Sequence, residues 1–112
     1  MKKADPVPLS RRPPRRDVLA RRIRDLVTDG AFSYASDAFD NVDGPGIDLA
    51  DALDVLTTGA IAGEIAPGKD AGEWTCRMVG KIDKSAQRLS VVTVVISDLH
   101  VFLINVAWEG RK

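Results

Sequence analysis

The apolar positions follow a helical spacing in the first half of the chain and a strand-like alternation after Gly59. The first helical stripe consists of Leu19, Ile23, Leu26 and Val27. It predicts a helix from about Asp17 to Asp29, with Asp17 as the N-cap and Gly30 where a left-handed residue ends a helix. Arg21, Arg22 and Arg24 lie off the stripe, so we expect them on a solvated face.

A second helix is predicted from Leu49 to Thr58, with Leu49, Leu53 and Leu56 along its buried edge. Asp48 precedes it as an N-cap and Asp51 follows three residues later, an arrangement typical of a capping box. Between the helices, Ser33 is expected to cap a turn or two of helix that carries Tyr34, Ala38 and Phe39. The run Asp43-Gly44-Pro45-Gly46 then breaks the chain.

Four segments after Gly59 alternate as strands do: Ala60 to Ile65, Glu73 to Gly80, Leu89 to Ser97, and Val101 to Trp108. Residues 81–87 are expected to form the turn between the second and the third. The segment from Leu89 to Ser97 is apolar on both faces, which is typical of a central strand covered on both sides, or of one whose second face meets a partner. The pattern therefore predicts an α+β fold, with N-terminal helices packed on a C-terminal antiparallel sheet of about four strands.

Length and composition fit one domain. The chain has 112 residues, of which 45% are apolar and 29% charged. Residues 1–16 are rich in proline and arginine and are expected to form an extended basic arm, while 17–112 form the α+β domain. No apolar run is long enough to span a membrane and no secretory signal is evident. The single cysteine, Cys76, fits a reducing compartment, so we expect a cytoplasmic protein.

The formal net charge of zero conceals three regions of unlike charge. Residues 1–25 carry +6, residues 26–72 carry −8, and residues 73–112 carry +2. A basic arm followed by an acidic middle suggests a charge match within the chain or with a partner. It differs from the uniformly basic surface of a general nucleic-acid binder.

Strong enzymatic motifs are absent from the sequence: it has no nucleotide-binding glycine loop, no paired-cysteine motif and no Gly-x-Ser-x-Gly elbow. With one histidine and one cysteine, we expect neither a metal site nor a cofactor. Cys76 alternates with Trp74 and Met78 and is expected to be a buried thiol. His100 is predicted in a turn, either as an exposed residue or as a general acid/base at the edge of the sheet.

A basic cluster is the main candidate for chemistry. Arg77 is predicted on the strand face opposite Trp74, and the positions that follow around the hairpin include Lys81, Lys84 and Arg88. Such a cluster can hold an RNA phosphate and stabilise charge that develops there, although charged hairpin tips are also common without function. Tyr34 and Trp108 are candidates to stack on bases or, for tyrosine, to supply a hydroxyl.

The order of these segments resembles a known family. The first helix is followed by Phe32-Ser33-Tyr34-Ala35 and by a Gly46-Ile47-Asp48 break. A helix ending in Thr58-Gly59 comes next, then the strand Glu73-Trp74-Thr75-Cys76-Arg77-Met78-Val79-Gly80, and finally a strand pair that ends in Asn105-Val106. Over about residues 17–109 the chain resembles a bacterial family of small domains related to the RelE-like toxins. More distantly, it is similar to the motility quorum-sensing regulator toxin.

The resemblance implies a RelE-like fold and metal-independent cleavage of messenger RNA by a toxin that an antitoxin neutralises. General acid/base cleavage would use the 2′-hydroxyl of the RNA as the nucleophile. Arg77 and Lys81 would steady the scissile phosphate and Tyr34 or His100 would move a proton, while Lys84, Arg88 and Trp108 would bind RNA.

A non-catalytic protein-binding module of the same fold is the alternative. It would bind a protein partner through the strand from Leu89 to Ser97, which is apolar on both faces, or through the basic arm. Tyr34 stands where the small-domain family usually has a histidine, which favours this alternative. A homodimer formed through the sheet is compatible with either function.

Overall fold

The computed structural model describes residues 13–40, 42, 47–82, 85–96 and 98–109, with the backbone alone at 85–87 and 94–96. Its elements, in chain order, are α1 (Arg16–Thr28), β1 (Phe32–Tyr34), α2 (Leu49–Thr58), β2 (Ala60–Pro67), β3 (Trp74–Ile82), β4 (Ser85–Ile96) and β5 (His100–Trp108). Most of the predicted basic arm, the Asp43–Gly46 break and Lys84 lie outside the described residues.

The α2 helix has the predicted bounds, and its capping box is confirmed. The Asp48 carboxylate accepts a hydrogen bond from the backbone N–H of Asp51 at 3.3 Å, and the Asp51 carboxylate accepts one from the N–H of Asp48 at 3.0 Å. Its buried face is rotated from the predicted one. Ala52, Val55 and Leu56 are buried, whereas the predicted Leu49 and Leu53 are only partly covered.

The α1 helix begins one residue earlier than predicted, and the N-cap assignment of Asp17 is wrong. Arg15 occupies the N-cap position without a side-chain cap. Asp17 lies in the first turn, where its carboxylate accepts a hydrogen bond from Arg15 at 3.0 Å and has the sign that the helix dipole favours. Gly30, with φ of +81°, ends the helix as expected.

The turn or two of helix expected after Ser33 does not form: Ser33 itself lies in a strand, and residues 36–40 form turns. Phe32 to Tyr34 form β1, which pairs in parallel with β5 and places Phe32 opposite Val101. Hydrogen bonds from Val101 N–H to Ala31 at 3.0 Å and from Ala35 N–H to Leu103 at 2.9 Å close each end of this pairing. Pairing with the distant strand β5 thus outweighs the local tendency of Ser33 to cap a helix. As a result, the sheet has five strands of mixed direction instead of the four antiparallel strands predicted.

The strand order is β1-β5-β4-β3-β2, so β4 is the central strand, as predicted from its apolar composition. The chain reverses within the predicted turn over 81–87, but that turn was drawn too long. The β3 strand continues to Ile82 and β4 begins at Ser85, with a shift in register between Gly80 and Ile82. His100 begins β5 instead of lying in a turn.

One face of the sheet packs against both helices and forms the core. The alternate β4 residues Leu89, Val91 and Thr93 are fully buried there. Cys76 is buried beside them, as predicted. The core cluster comprises Leu19, Ile23, Val27, Ala52, Val55, Leu56, Trp74, Cys76, Met78, Ile82, Leu89, Val91, Val101, Leu103 and Val106.

We call the opposite side of the sheet the outer face. By strand alternation and register, its described side chains include Thr75, Arg77, Val79, Lys81, Arg88, Ser90, Val92, His100, Phe102, Asn105, Ala107 and Glu109. The buried residues of α1 and α2 all belong to the core on the other side. Within the described part of the chain, the central strand is therefore covered by helices on one face only.

The close approach of α2 to β3 depends on Gly59. A Cβ atom at this position would lie 2.5 Å from the carbonyl oxygen of Val79 and 2.7 Å from that of Val55. Both are backbone atoms, so a side chain at Gly59 forces the helix and the sheet apart.

We expect Gly59→Ala to lower the free energy of unfolding by about 1–3 kcal/mol, the usual cost of overpacking. Chemical denaturation with circular dichroism measures the change. Thr58→Ala is the matched control, because Thr58 is exposed and its hydroxyl bonds only within its own helix. Equal stabilities of the two variants would contradict the close-packing explanation.

Candidate functional site

The candidate site lies on the outer face and extends from the middle of β3 towards the β3–β4 hairpin. Arg77 points to this side because its strand neighbours Cys76 and Met78 are buried in the core. Glu109 follows β5 on the same side, two residues after Ala107. The Arg77 guanidinium donates a hydrogen bond to the Glu109 carboxylate. Since β4 lies between β3 and β5, this ion pair spans the central strand.

The Arg77–Glu109 pair is partly open to solvent. The side chains of Arg77 and Glu109 retain 38% and 35% of their exposure. On the β2 side, Gly63 adopts φ of +76°, and a Cβ built there would lie 3.6 Å from Nη2 of Arg77. The guanidinium thus lies between the backbone of β2 and the carboxylate of Glu109.

Two exposed cations lie on the same face as this pair. Lys81 lies between the buried Gly80 and Ile82 on β3, so its side chain projects from the outer face. Arg88 precedes the buried Leu89 on β4, and its carbonyl accepts a hydrogen bond from the Glu109 N–H at 2.8 Å. Arg88 and Glu109 are therefore neighbours across the β4–β5 ladder. We call Arg77, Lys81, Arg88 and Glu109 the basic cluster.

The other two predicted catalytic side chains lie elsewhere. His100 pairs with Ile96, whereas Glu109 lies beside Arg88. Eight residues of β4 separate these positions, or roughly 26 Å along an extended strand. Nε2 of His100 lies 2.9 Å from the Ser33 hydroxyl, at the β1–β5 edge. Lys81 therefore lies near the hairpin end of the sheet and His100 at the other end. Arg77 pairs with Val92 midway along the strands, and its side chain contacts Glu109.

Tyr34 and Trp108 also lie apart from the basic cluster. Tyr34 pairs with Leu103 and makes an edge-to-face contact with Phe39, with ring centroids 6.0 Å apart. Its side chain is 47% exposed. Trp108 pairs with Leu89 and packs against the core, on the side of the sheet opposite Arg77.

Several arginines of α1 are engaged within the domain. Arg22 forms an ion pair with Asp98 of the β4–β5 turn, and Arg16 donates to the Ile61 carbonyl at 3.2 Å. A shallow pocket of about 290 Å³ is lined by Arg15, Asp17, Val18, Arg21, Arg22 and Asp25. It contains none of the predicted site residues. Its lining combines acidic and basic side chains of α1 and of the N-cap residue Arg15, which is typical of a solvated face.

The buried thiol of Cys76 is part of the core. Burial raises its pKa, and the hydrogen bond with the Thr93 hydroxyl, at 3.6 Å, partly opposes that effect. A raised pKa lowers the fraction of reactive thiolate at neutral pH. Among the described residues, no group of three or more histidine, cysteine, aspartate or glutamate side chains can hold a metal ion.

Glu109 was not predicted as a site residue. It comes one position after the last predicted strand, so the sequence alone indicates only a polar residue at the end of that strand. Strand alternation from Ala107 is the signal that could have placed it on the outer face. Its proximity to Arg77 depends on the strand order and on the β4–β5 register, neither of which is evident from local pattern.

No protein-family model, curated protein sequence or solved structure matches the chain. No described helix is long and apolar enough to cross a membrane. The functional assignment therefore depends on the residues and on their geometry.

We expect the Cys76 thiol to react with a disulfide reagent such as DTNB at least 100-fold more slowly in the folded protein at pH 8 than in denaturant. Burial both blocks access and disfavours the thiolate. The absorbance of the released thiolate measures both rates, and the unfolded protein serves as the control. Similar rates in the two states would contradict the placement of Cys76 in the core.

Proposed function

We propose that this protein is a toxin-type endoribonuclease that cleaves messenger RNA without a metal and is neutralised by an antitoxin. The observation that carries the proposal is the placement of Arg77, Lys81 and Arg88 on the outer face, with Arg77 paired to Glu109 and Glu109 bonded to the backbone of Arg88. The resemblance to small domains related to the RelE-like toxins, with the RelE-like fold that it implies, supports the same function.

The chemistry of RNA cleavage suits this cluster. The 2′-hydroxyl of the RNA attacks the adjacent phosphorus, and negative charge accumulates on the phosphoryl oxygens in the transition state. Cations held in place before the reaction stabilise that charge without reorganisation. Arg77 is held by Glu109, while Lys81 and Arg88 are exposed and able to approach a phosphate.

The cluster also suits single-stranded RNA. Single strands bind in positively charged grooves, and their affinity falls as salt rises because bound counterions are released. Lys81 and Arg88 lie on neighbouring strands, so they can contact one phosphate or two successive ones. The proposal assigns RNA binding to this cluster and leaves Tyr34, His100, Lys84 and Trp108 as sequence-based predictions.

Expression of the wild-type protein should arrest growth of a bacterial host and fragment its messenger RNA, and Arg77→Ala should relieve the arrest. The physical reason is the loss of a guanidinium that stabilises the scissile phosphate. Colony counts and primer extension measure the two effects. The matched control is Arg24→Ala, which removes an exposed cation from α1 and should leave the arrest intact. Normal growth with intact messenger RNA on strong wild-type expression would contradict the proposal.

Arg88→Ala should weaken binding of a non-cleavable 2′-O-methyl oligonucleotide by about threefold to tenfold at physiological salt. It should also reduce the slope of log affinity against log salt by about 0.7, the value for one phosphate contact on a single strand. Fluorescence anisotropy at several salt concentrations measures both quantities. If Arg24→Ala changes the slope as much as Arg88→Ala does, the cluster is not the RNA site.

A second candidate function is a non-catalytic protein-binding module. It is favoured by Val92 and Phe102, two half-buried apolar side chains on the outer face that no described helix covers. Purified wild-type protein would then cleave no RNA. It would form a complex with one defined protein of its host, and Phe102→Asp would abolish that complex. RNA cleavage by the purified protein would exclude this second function.

A further inference from the structure

We propose that Glu109 is the general base of the reaction, accepting the proton of the attacking 2′-hydroxyl; this inference depends on the ribonuclease function proposed above. The observation behind it is a carboxylate that pairs with Arg77 and lies beside Arg88 across the ladder, with Lys81 on the same face. A phosphate drawn to Arg77 or Arg88 brings its neighbouring ribose close to Glu109.

Three features of Glu109 fit this role. It is the carboxylate among the described outer-face side chains of β3, β4 and β5. Arg77 fixes its orientation through a direct ion pair. Its side chain retains 35% of its exposure, so a ribose hydroxyl can reach it without any displacement of the core. A general base must come within hydrogen-bond reach of the proton that it removes.

A solely structural role explains less of the arrangement. Partly exposed ion pairs typically contribute about 0–1 kcal/mol to stability. A counter-ion for Arg77 alone would also not require Lys81 and Arg88 beside it. Here, Lys81 and Arg88 lie on the same face as the paired Arg77, so the described outer-face side chains of β3 and β4 carry positive charge in excess. That excess is suited to an anionic ligand.

The proposed step is balanced within the cluster and the RNA. The Glu109 carboxylate takes the proton of the 2′-hydroxyl, whose oxygen then forms a bond to phosphorus. The bond between phosphorus and the 5′-oxygen breaks, and its electron pair leaves with that oxygen. The Lys81 ammonium supplies the proton to the leaving oxygen, since a guanidinium does not release one at neutral pH. The products are a 2′,3′-cyclic phosphate and a 5′-hydroxyl, and solvent restores both protonation states.

The test compares wild type, Glu109→Gln and Glu109→Asp in single-turnover cleavage of a short RNA. We expect Glu109→Gln to slow cleavage by about 10²–10⁴-fold, the usual contribution of a general base. Affinity for the non-cleavable oligonucleotide should stay within about threefold. Glu109→Asp keeps the carboxylate and should fall between the two rates. In the wild type, acid should lower the rate because a protonated carboxyl cannot accept the proton, and this acid limb should be missing from Glu109→Gln.

Glu64→Gln is the matched control. It removes an exposed carboxylate from β2 and should leave the rate and its pH profile unchanged. A substrate with a single 2′-deoxyribose at the scissile position should resist the wild-type enzyme. Thermal melts verify that each variant is folded. If Glu109→Gln does not fold, the comparison of Glu109→Asp with the wild type serves as the test.

The outcomes separate this inference from the function on which it depends. If the wild type does not cleave RNA, whether or not it binds the oligonucleotide, both are overturned. If the wild type cleaves and Glu109→Gln cleaves equally fast with the same pH profile, only the role of Glu109 is overturned. If Glu109→Gln loses affinity and rate to the same extent, Glu109 positions Arg77 and is not the base.

Discussion

The structure depends on the packing of both helices against a single face of the sheet. Leu89, Val91 and Thr93 alternate along the central strand and are fully buried beneath α1 and α2. Because side chains of a strand alternate between its two faces, this burial fixes which residues of every neighbouring strand point away from the helices. A shift of register by one residue would place Arg77 in the core and expel Met78. The hydrophobic packing therefore determines where the charged residues are displayed.

The outer face has an uneven distribution of charge. The basic cluster extends from the middle of β3 to the hairpin end, while the other end carries the hydrogen-bonded pair Ser33 and His100. Val92, the cross-strand partner of Arg77, and Phe102 are partly covered, and Ser90 retains only 6% of its exposure despite its hydroxyl. The arrangement places cations and apolar side chains next to one another on one face. A polyanion with planar bases matches both parts, because phosphates favour the first and stacked bases favour the second.

Local signals in the sequence predicted the elements that depend on local interactions. Asp48 and Asp51 cap α2 through contacts three residues apart, and the apolar residues from Leu89 onward identified the central strand. The β1 strand was not predicted, because its three residues are stabilised by parallel pairing with β5, nearly seventy positions later in the chain. The candidate site was likewise predictable only in part. Alternation with Trp74 placed Arg77 on the correct face of its strand. The contact between Glu109 and Arg77 could not be predicted, because it depends on the order of the strands in the sheet. His100 and Tyr34 were grouped with Arg77 by resemblance, and the fold separates them.

RNA is proposed to bind the outer face of the sheet around Arg77 and Glu109. Methyl-selective NMR tests this directly, with the non-cleavable oligonucleotide titrated into protein labelled at alanine and valine. We expect the methyl signals of Ala62, Ala107 and Val92, which lie on the outer face around Arg77, to shift in proportion to bound RNA. The methyl signals of Val18 and Ala50, exposed on α1 and α2, should stay in place. Shifts confined to the two helices, with the outer-face methyl signals unchanged, would contradict the account.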